Sequence, residues 1–228
     1  MNLKLLDKKQ RADLIIKLIQ EQVLDQRDKL RYWRDLTKQA AQIDTGYIAQ
    51  HLVSLVTSKY GSSMRGKGDD LEDSSEVKSA NFLDSLDKRG AVAPRWNFSS
   101  NDILTMKSYL AVPAIYLVSI DLNSKKLFRA RVWLVDPRKH IVFYRRYKEW
   151  MKTLGLPKLK DPNRPGVNFQ LFPPRLKSND NFARHGNGRR NGFKPIKIRL
   201  ENTPGSKIIL SVEETSPKKI EILHLDSN

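Results

Sequence analysis

Residues 68–80 read GDDLEDSSEVKSA, and this acidic stretch predicts the strand on which the fold and its chemistry depend. The stretch opens with four acidic residues within five positions: Asp69, Asp70, Glu72 and Asp73. Successive side chains of a strand point to opposite faces, so Glu76 and Lys78 are predicted to share one face while Val77 lies on the other. An Asp on a neighbouring strand would place two carboxylates beside one ammonium group.

We predict a tight hairpin here, with two alternatives for its register. A two-residue turn at 73–74 places Asp69 opposite Lys78, whereas a three-residue turn at 73–75 places Asp70 there. Two carboxylates from the protein are enough to bind Mg²⁺, because this ion keeps several water molecules as its other ligands. Bound Mg²⁺ would acidify an attacking water and neutralise a phosphate, and a neighbouring Lys would position the nucleophile. The simpler alternative is an exposed hairpin whose charges are only solvated.

The charge balance of the chain points to a polyanionic partner. Its 228 residues include 42 Lys and Arg against 25 Asp and Glu, for a net charge of +17. Such an excess drives nucleic-acid binding through the release of counterions. The chain has no Cys, which excludes a disulfide framework and thiolate zinc sites. No apolar run approaches the roughly 20 residues of a membrane span, so we expect a soluble intracellular protein.

Hydrophobic periodicity predicts one domain, 1–228, in three parts: N-terminal helices at 1–60, a sheet core at 61–155, and basic loops with short strands at 156–228. In the first part, a helix is predicted to start at Asp44 and to stop at Gly61. In the second, runs at 110–121 and 126–136 predict a β-hairpin whose Arg129, Arg131 and Trp133 face outward. Residues 157–195 are rich in Pro and Gly and predict irregular loops, and the chain closes with two short strands and a polar tail.

The order of these motifs resembles a known family. A helix followed by SSMRGKGDDLEDSSEVKSA, PRWN and VNFQLFPPR is similar to the MamI-type group of type II restriction endonucleases, within the PD-(D/E)xK nuclease superfamily. The resemblance runs from about residue 44 to 185. It implies an α/β (α+β) fold with a PD-(D/E)xK core, a mixed central sheet flanked by helices, and the site on the second and third strands.

The resemblance also implies roles for individual residues. Glu76 and Lys78 match the (D/E)xK element, and Asp70 matches the leading Asp better than Asp69 because an apolar residue follows it. The implied catalytic set is Asp70, Glu76 and Lys78, with Asp70 or Asp69 and Glu76 as Mg²⁺ ligands. An upstream helical Glu often completes such sites, and Glu21 is the candidate in the first helix. The Asp-to-Glu spacing is short for the superfamily, and Ser74 stands where a turn Gly is usual.

A second group of residues is predicted to contact DNA. Arg pairs with guanine and Asn or Gln with adenine in the major groove, while Lys and Arg also neutralise phosphates. The predicted contacts are Arg65, Lys67, Arg95, Asn97, Asn168, Gln170, Arg175, Arg184, Arg189 and Arg190. The structural alternatives are that Trp96 anchors a loop to the core and that residues 168–175 form a structural loop.

The predicted function is Mg²⁺-dependent cleavage of double-stranded DNA at a short, specific, palindromic site. A two-fold site is cut most simply by a homodimer, and a cognate DNA methyltransferase in the host would be a genetic partner. The implied location is the cytoplasm of a bacterium or archaeon. Two rival functions stay open: a structure-selective nuclease, such as a junction resolvase or repair enzyme, and a non-catalytic DNA-binding protein.

Overall fold

A computed structural model describes the chain at residues 2–39, 41, 43–62, 70–83, 94–161, 163, 166–174, 181–186 and 193–226. Six α-helices lie in these ranges: α1 (Lys8–Ile19), α2 (Asp25–Thr37), α3 (Thr45–Thr57), α4 (Ile103–Ser108), α5 (Ile141–Trp150) and α6 (Leu156–Leu159). Nine strands accompany them: β1 (Glu76–Asn81), β2 (Trp96–Ser100), β3 (Ile115–Leu122), β4 (Phe128–Val135), β5 (Val167–Phe172), β6 (Phe182–His185), β7 (Ile196–Arg199), β8 (Ser206–Ser216) and β9 (Lys219–Leu225). None of the helices in these ranges is long and apolar enough to cross a bilayer.

The N-terminal part is helical, as predicted. A capping box between Asp7 and Gln10 starts α1, and a π-helical turn, Gln20–Leu24, carries it directly into α2. The start of α3 is confirmed, because the Asp44 side chain accepts a hydrogen bond from the Gly46 N–H. The predicted stop at Gly61 is wrong: α3 ends at Thr57, where Ser58 takes a left-handed conformation with φ of 58°.

The larger sheet is mixed and has the strand order β1-β3-β4-β8-β9. β1 runs parallel to β3, and the other neighbours are antiparallel. The predicted β3–β4 hairpin is confirmed. The tail predicted to be merely polar contains β9, which pairs with β8. The fold class is therefore the expected one, a mixed sheet flanked by helices.

The second sheet, in the order β2-β5-β6-β7, is antiparallel and lies against the other face of the larger sheet. Two hydrophobic clusters result. One lies between the larger sheet and helices α1 and α3, and the other includes Trp96, Phe98, Trp133 and Phe169. Residues 157–195, which were predicted to form irregular loops, thus also contain two strands, β5 and β6.

The prediction that Arg129, Arg131 and Trp133 face outward is wrong. All three side chains are buried, because β4 is a central strand covered on both faces. Both guanidinium groups instead bind one buried carboxylate: Arg129 donates to Asp121 at 2.7 and 2.9 Å, and Arg131 donates to it at 3.0 Å. Arg131 also donates to the Pro174 carbonyl at 3.1 Å, just beyond β5.

Candidate active site and DNA interface

The acidic stretch folds into a turn that leads into β1. The Asp70 N–H donates to the Ser75 carbonyl at 3.1 Å, and the Ser74 N–H donates to the Leu71 carbonyl at 2.9 Å. Ser74 has a φ of 65°, so this turn uses a left-handed residue where Gly is less strained. The strand then begins at Glu76, whose N–H donates to the Ala114 carbonyl ahead of β3 at 3.0 Å.

The expected two-stranded hairpin is wrong in both of its registers. Asp70 lies on the turn rather than on a strand, and Ser75, not Lys78, is its backbone partner. Among the described strands, Glu76 and Lys78 lie on the first, at an edge of the larger sheet, rather than on the third. The alternative ligand Asp69 lies outside the described residues.

The side chain of Asp70 nevertheless reaches β1. Its Oδ2 accepts a hydrogen bond from the Val77 N–H at 2.8 Å, between Glu76 and Lys78. Its Oδ1 accepts one from the Gln50 Nε2 of α3 at 2.6 Å. Asp70, Glu76 and Lys78 are therefore brought together, with Asp70 held at both oxygens.

Glu76 and Lys78 form an ion pair on one face of β1, as their spacing predicts. Both are largely buried, with side chains 11% and 18% exposed, and the Lys78 ammonium lies 5.2 Å from the centre of the Tyr109 ring. Burial alone would lower the pKa of Lys78, but the attraction of Glu76 and the electrostatic effects of Tyr109 and Asp70 outweigh it, so the pKa is raised. The lysine is thus held as a cation against the carboxylates.

The other two acids of the cluster are structural. The Glu72 carboxylate accepts a hydrogen bond from Lys4 at 3.0 Å. This bond, with a smaller contribution from the Tyr60 N–H, lowers the pKa of Glu72. Asp73 pairs with Lys59 and accepts a hydrogen bond from the Ser75 N–H at 3.1 Å. Burial would raise the pKa of Asp73, but these partners lower it overall. Within this stretch, Asp70 therefore contacts β1, whereas Glu72 and Asp73 are neutralised by lysines.

Gln50 is a site residue that the sequence analysis missed. Its only sequence signal is its position on a helix shortly before the acidic stretch, which is where an upstream Glu was sought. Glu21 is not brought to this site: its carboxylate lies 3.8 Å from Lys17, and it lines a cavity of about 950 Å³ with Tyr47 and His51. In the described part of the chain, Gln50 occupies the position beside Asp70 that Glu21 was expected to fill.

The donor set is compatible with a hard divalent cation. Asp70 and Glu76 supply carboxylate oxygens, and the bonds from Gln50 and Val77 fix the orientation of the Asp70 carboxylate. Mg²⁺ is commonly held by one or two carboxylates together with water and substrate phosphate. Within the described ranges no cluster of three or more His, Cys, Asp or Glu forms a complete metal cage.

The described DNA-contact candidates lie on the second sheet. Asn97 of β2 is directly opposite Gln170 of β5, Ser99 is opposite Asn168, and Arg95 donates to the Gln170 side chain at 2.9 Å. Arg184 is exposed on β6. Trp96, in contrast, is fully buried and donates to the Val118 carbonyl at 2.8 Å, so it anchors β2 to the larger sheet. Five other candidates lie outside the described residues: Arg65, Lys67, Arg175, Arg189 and Arg190.

Comparisons with known proteins identify a matching family and a related enzyme. The model of a family described as MamI restriction endonuclease matches residues 32–212. The chain is 34% identical over 161 residues to the type II restriction enzyme MamI of Microbacterium ammoniaphilum, an alignment that covers 64% of this chain and 48% of that enzyme. The chain thus spans about half the length of the relative it matches. No solved structure matches it.

Proposed function

Because the chain belongs to the MamI restriction endonuclease family, we propose that it is a type II restriction endonuclease that hydrolyses double-stranded DNA at a short specific site. The observation that carries this proposal is the meeting of Asp70, Glu76 and Lys78 at one edge of the larger sheet, through the bond from the Val77 N–H to Asp70. A basic chain with two carboxylates and a buried lysine has the groups that phosphodiester cleavage requires.

Asp70 and Glu76 would hold the divalent cation, which we propose is Mg²⁺. When bound, it supplies charge neutralisation at the phosphate and a more acidic water. Gln50 and the Val77 N–H donate to the two oxygens of Asp70 and so hold its carboxylate in one orientation. Such outer partners orient ligands and tune their affinity for the ion.

Lys78 would act on the substrate directly. Its ammonium donates hydrogen bonds to the attacking water and to a non-bridging phosphate oxygen, where negative charge grows in the transition state. The water oxygen forms a bond to phosphorus as the bond from phosphorus to the 3′ oxygen breaks. The water gives up one proton to solvent, the 3′ oxygen gains one from solvent, and the products are a 3′-hydroxyl and a 5′-phosphate.

The wider context belongs to the same proposal. A two-fold DNA site presents the same phosphate geometry twice, so two copies of the chain would place one site on each strand. A cytoplasmic enzyme of this kind requires a cognate methyltransferase in the host to protect its own DNA. That enzyme is a genetic partner and no physical contact with it is proposed.

The test is a digest of phage DNA in Mg²⁺ and in EDTA with the wild type and with Glu76→Gln and Lys78→Met. We expect discrete bands in Mg²⁺ that are lost in EDTA and in both variants. The matched control is Glu72→Gln, which removes a carboxylate of the same stretch that binds Lys4 rather than β1. Discrete bands should persist in this control.

Other digestion patterns would contradict the proposal. A smear that follows DNA shape would identify a structure-selective nuclease. Intact DNA in Mg²⁺, with binding retained by the wild type and both variants, would leave a non-catalytic DNA-binding protein. Cleavage that survives Glu76→Gln would show that the metal ion is not bound by the carboxylate on β1.

A further inference from the structure

The second sheet has one buried face and one polar face. Its inward positions belong to the hydrophobic core, as Phe98, Phe169 and Ile198 show by being fully buried. The alternating positions face outward and are half-buried or exposed: Asn97, Ser99, Asn168, Gln170, Phe172, Phe182, Arg184, Lys197 and Arg199. None of these described outward positions carries an acid. In a chain that also holds 25 acidic residues, the charged residues at these outward positions are all cations: Arg184, Lys197 and Arg199.

The β6–β7 half of this face carries cations that rest on aromatic rings. The Arg184 guanidinium lies 5.3 Å from the Phe172 ring centre, and Arg184 is also directly opposite Lys197. The Lys197 ammonium and the Arg199 guanidinium each lie 5.6 Å from the Phe182 ring centre. Contacts of this kind attract the cation to the ring and limit its motion. Three cations are therefore held close together on two neighbouring strands, with Arg184 opposite Lys197 and Arg199 two positions along β7.

The β2–β5 half is different because its outward groups are amides and hydroxyls. Asn97 is opposite Gln170 and Ser99 is opposite Asn168, so the polar groups form cross-strand pairs. The bond from Arg95 orients the Gln170 amide. Asn and Gln can bind adenine through two hydrogen bonds, and the major groove is wide enough to admit a two-stranded ribbon.

The second sheet is connected to the candidate active site through Tyr109. The Tyr109 hydroxyl donates to the Ser99 carbonyl of β2 at 3.0 Å, and the same ring contacts the Lys78 ammonium. The Phe98 ring of β2 packs edge-on against Tyr109 with ring centres 5.3 Å apart. One aromatic side chain therefore joins β2 to the strand that carries Glu76 and Lys78.

We propose that the outward face of β2–β5–β6–β7 is the surface that binds duplex DNA, and that its two halves contact different parts of the duplex. The β6–β7 half binds backbone phosphates through Arg184, Lys197 and Arg199, and the β2–β5 half reads base edges through Asn97 and Gln170. Lys197 and Arg199 are thereby assigned to DNA binding, which the sequence analysis did not do. The inference rests on the proposed function, and it specifies where the substrate lies.

The phosphate half is tested by the salt dependence of binding to a labelled duplex of random sequence, with Ca²⁺ in place of Mg²⁺. Each phosphate contact contributes about 0.9 to the slope of log affinity against log salt, so the triple variant Arg184→Gln, Lys197→Gln, Arg199→Gln should lower the slope by about 2 to 3. The matched control removes three exposed lysines elsewhere, Lys9→Gln, Lys29→Gln, Lys152→Gln, and should leave the slope close to the wild type.

The base-reading half is tested by selecting bound sites from a random duplex library. Asn97→Ala with Gln170→Ala should reduce the preference for the selected site about 5- to 150-fold for each side chain replaced, since a bidentate pair discriminates by about 1–3 kcal/mol. Affinity for the random duplex should be unchanged. The control pair Gln22→Ala with Gln39→Ala should retain the preference. A melting curve for each variant checks that it is folded.

The outcomes separate this inference from the proposed function. If the wild type gives discrete bands but the triple and double variants bind and select like their controls, the docking face is wrong and the nuclease proposal stands. If the wild type neither binds nor cuts any duplex, both fall together. Tighter binding to single strands than to duplex would overturn the docking face, because stacking on Phe172 and Phe182 would then replace groove recognition.

Discussion

Asp70 accepts hydrogen bonds at both of its oxygens, and one of the donors, Gln50, comes from a helix. Replacing Gln50 by Ala removes this bond to Oδ1 and lets the carboxylate turn. Outer partners of metal ligands typically contribute about 10- to 100-fold in affinity or activity. We therefore expect Gln50→Ala to raise the Mg²⁺ concentration that gives half-maximal cleavage by about that factor. The exposed Gln22→Ala is the control, and an unchanged Mg²⁺ titration would show that Gln50 does not position Asp70.

His185 gives a prediction about pH. It is fully buried, stacks on Phe169 with ring centres 4.1 Å apart, and accepts a hydrogen bond from Arg146 at 2.7 Å. Burial and the Arg146 charge lower its pKa from 6.5 to about 3. The native state thus binds fewer protons than the unfolded chain between these values, so stability is complete above pH 6.5 and falls on acidification towards pH 3.

The measurement is the unfolding free energy at a series of pH values from 7.5 downward. The His185 contribution to the slope approaches about 1.4 kcal/mol per pH unit, the effect of one proton. His185→Phe keeps the stacking and should flatten the slope by that amount, whatever its stability at neutral pH. The exposed His51→Gln should retain the wild-type slope. Equal slopes for His185→Phe and the wild type would contradict the assignment.

At this scale the sequence predicts residue pairs that depend on local geometry. Glu76 and Lys78 share a face because the period of a strand is two, whatever packs around it. The role of Asp70 depends on Gln50, which is twenty positions away, and on a turn with a left-handed Ser74. No local pattern contains those partners, so the predicted hairpin was wrong while the residues it concerned were still brought together.

At the scale of the element, β4 carries a buried ion pair cluster within the larger sheet and a hydrogen bond towards the second sheet. Arg129 and Arg131 both bind Asp121, and Arg131 reaches the end of β5. Removing one partner of a buried ion pair leaves uncompensated charge and costs about 3–5 kcal/mol. We expect Asp121→Ala to lower the free energy of unfolding in urea by about that amount.

The control for Asp121 is Glu221→Gln, which removes the carboxylate of the exposed ion pair with Lys219. Surface ion pairs are screened by solvent, so no measurable change in the urea midpoint is expected. If Asp121→Ala and Glu221→Gln unfold at the same urea concentration, the buried cluster does not stabilise the junction between the sheets.

The two arginines also show why this element was misjudged from sequence. Alternation of apolar and charged residues predicts a strand with one solvent-exposed face. This prediction is correct only when no other element covers that face. Here β2 and β5–β7, supplied by residues 96–100 and 167–199, cover it. Such long-range cover leaves no mark within β4 itself, so the sequence predicts the strand but not its burial.

At the scale of the whole molecule, a homodimer makes double-strand cleavage depend on protein concentration. If each copy cuts one strand, supercoiled plasmid should become linear at high concentration. On dilution below the dimer dissociation constant, the rate should fall more steeply than in proportion to the protein. Sedimentation velocity over the same range measures association directly. A monomer that linearises plasmid with a rate proportional to its concentration would contradict the proposed assembly.

The position of β1 has a consequence for how the protein loses activity. Among the described strands β1 lies at the sheet edge and pairs only with β3, while β3, β4 and β8 each have two neighbours. Edge elements open locally at a lower free energy than the central strands of the same sheet. The strand that carries Glu76 and Lys78 is therefore expected to fray while Trp133 of β4 is still buried. In a urea titration, cleavage should disappear before tryptophan fluorescence changes, so that inactivation and unfolding are separate events.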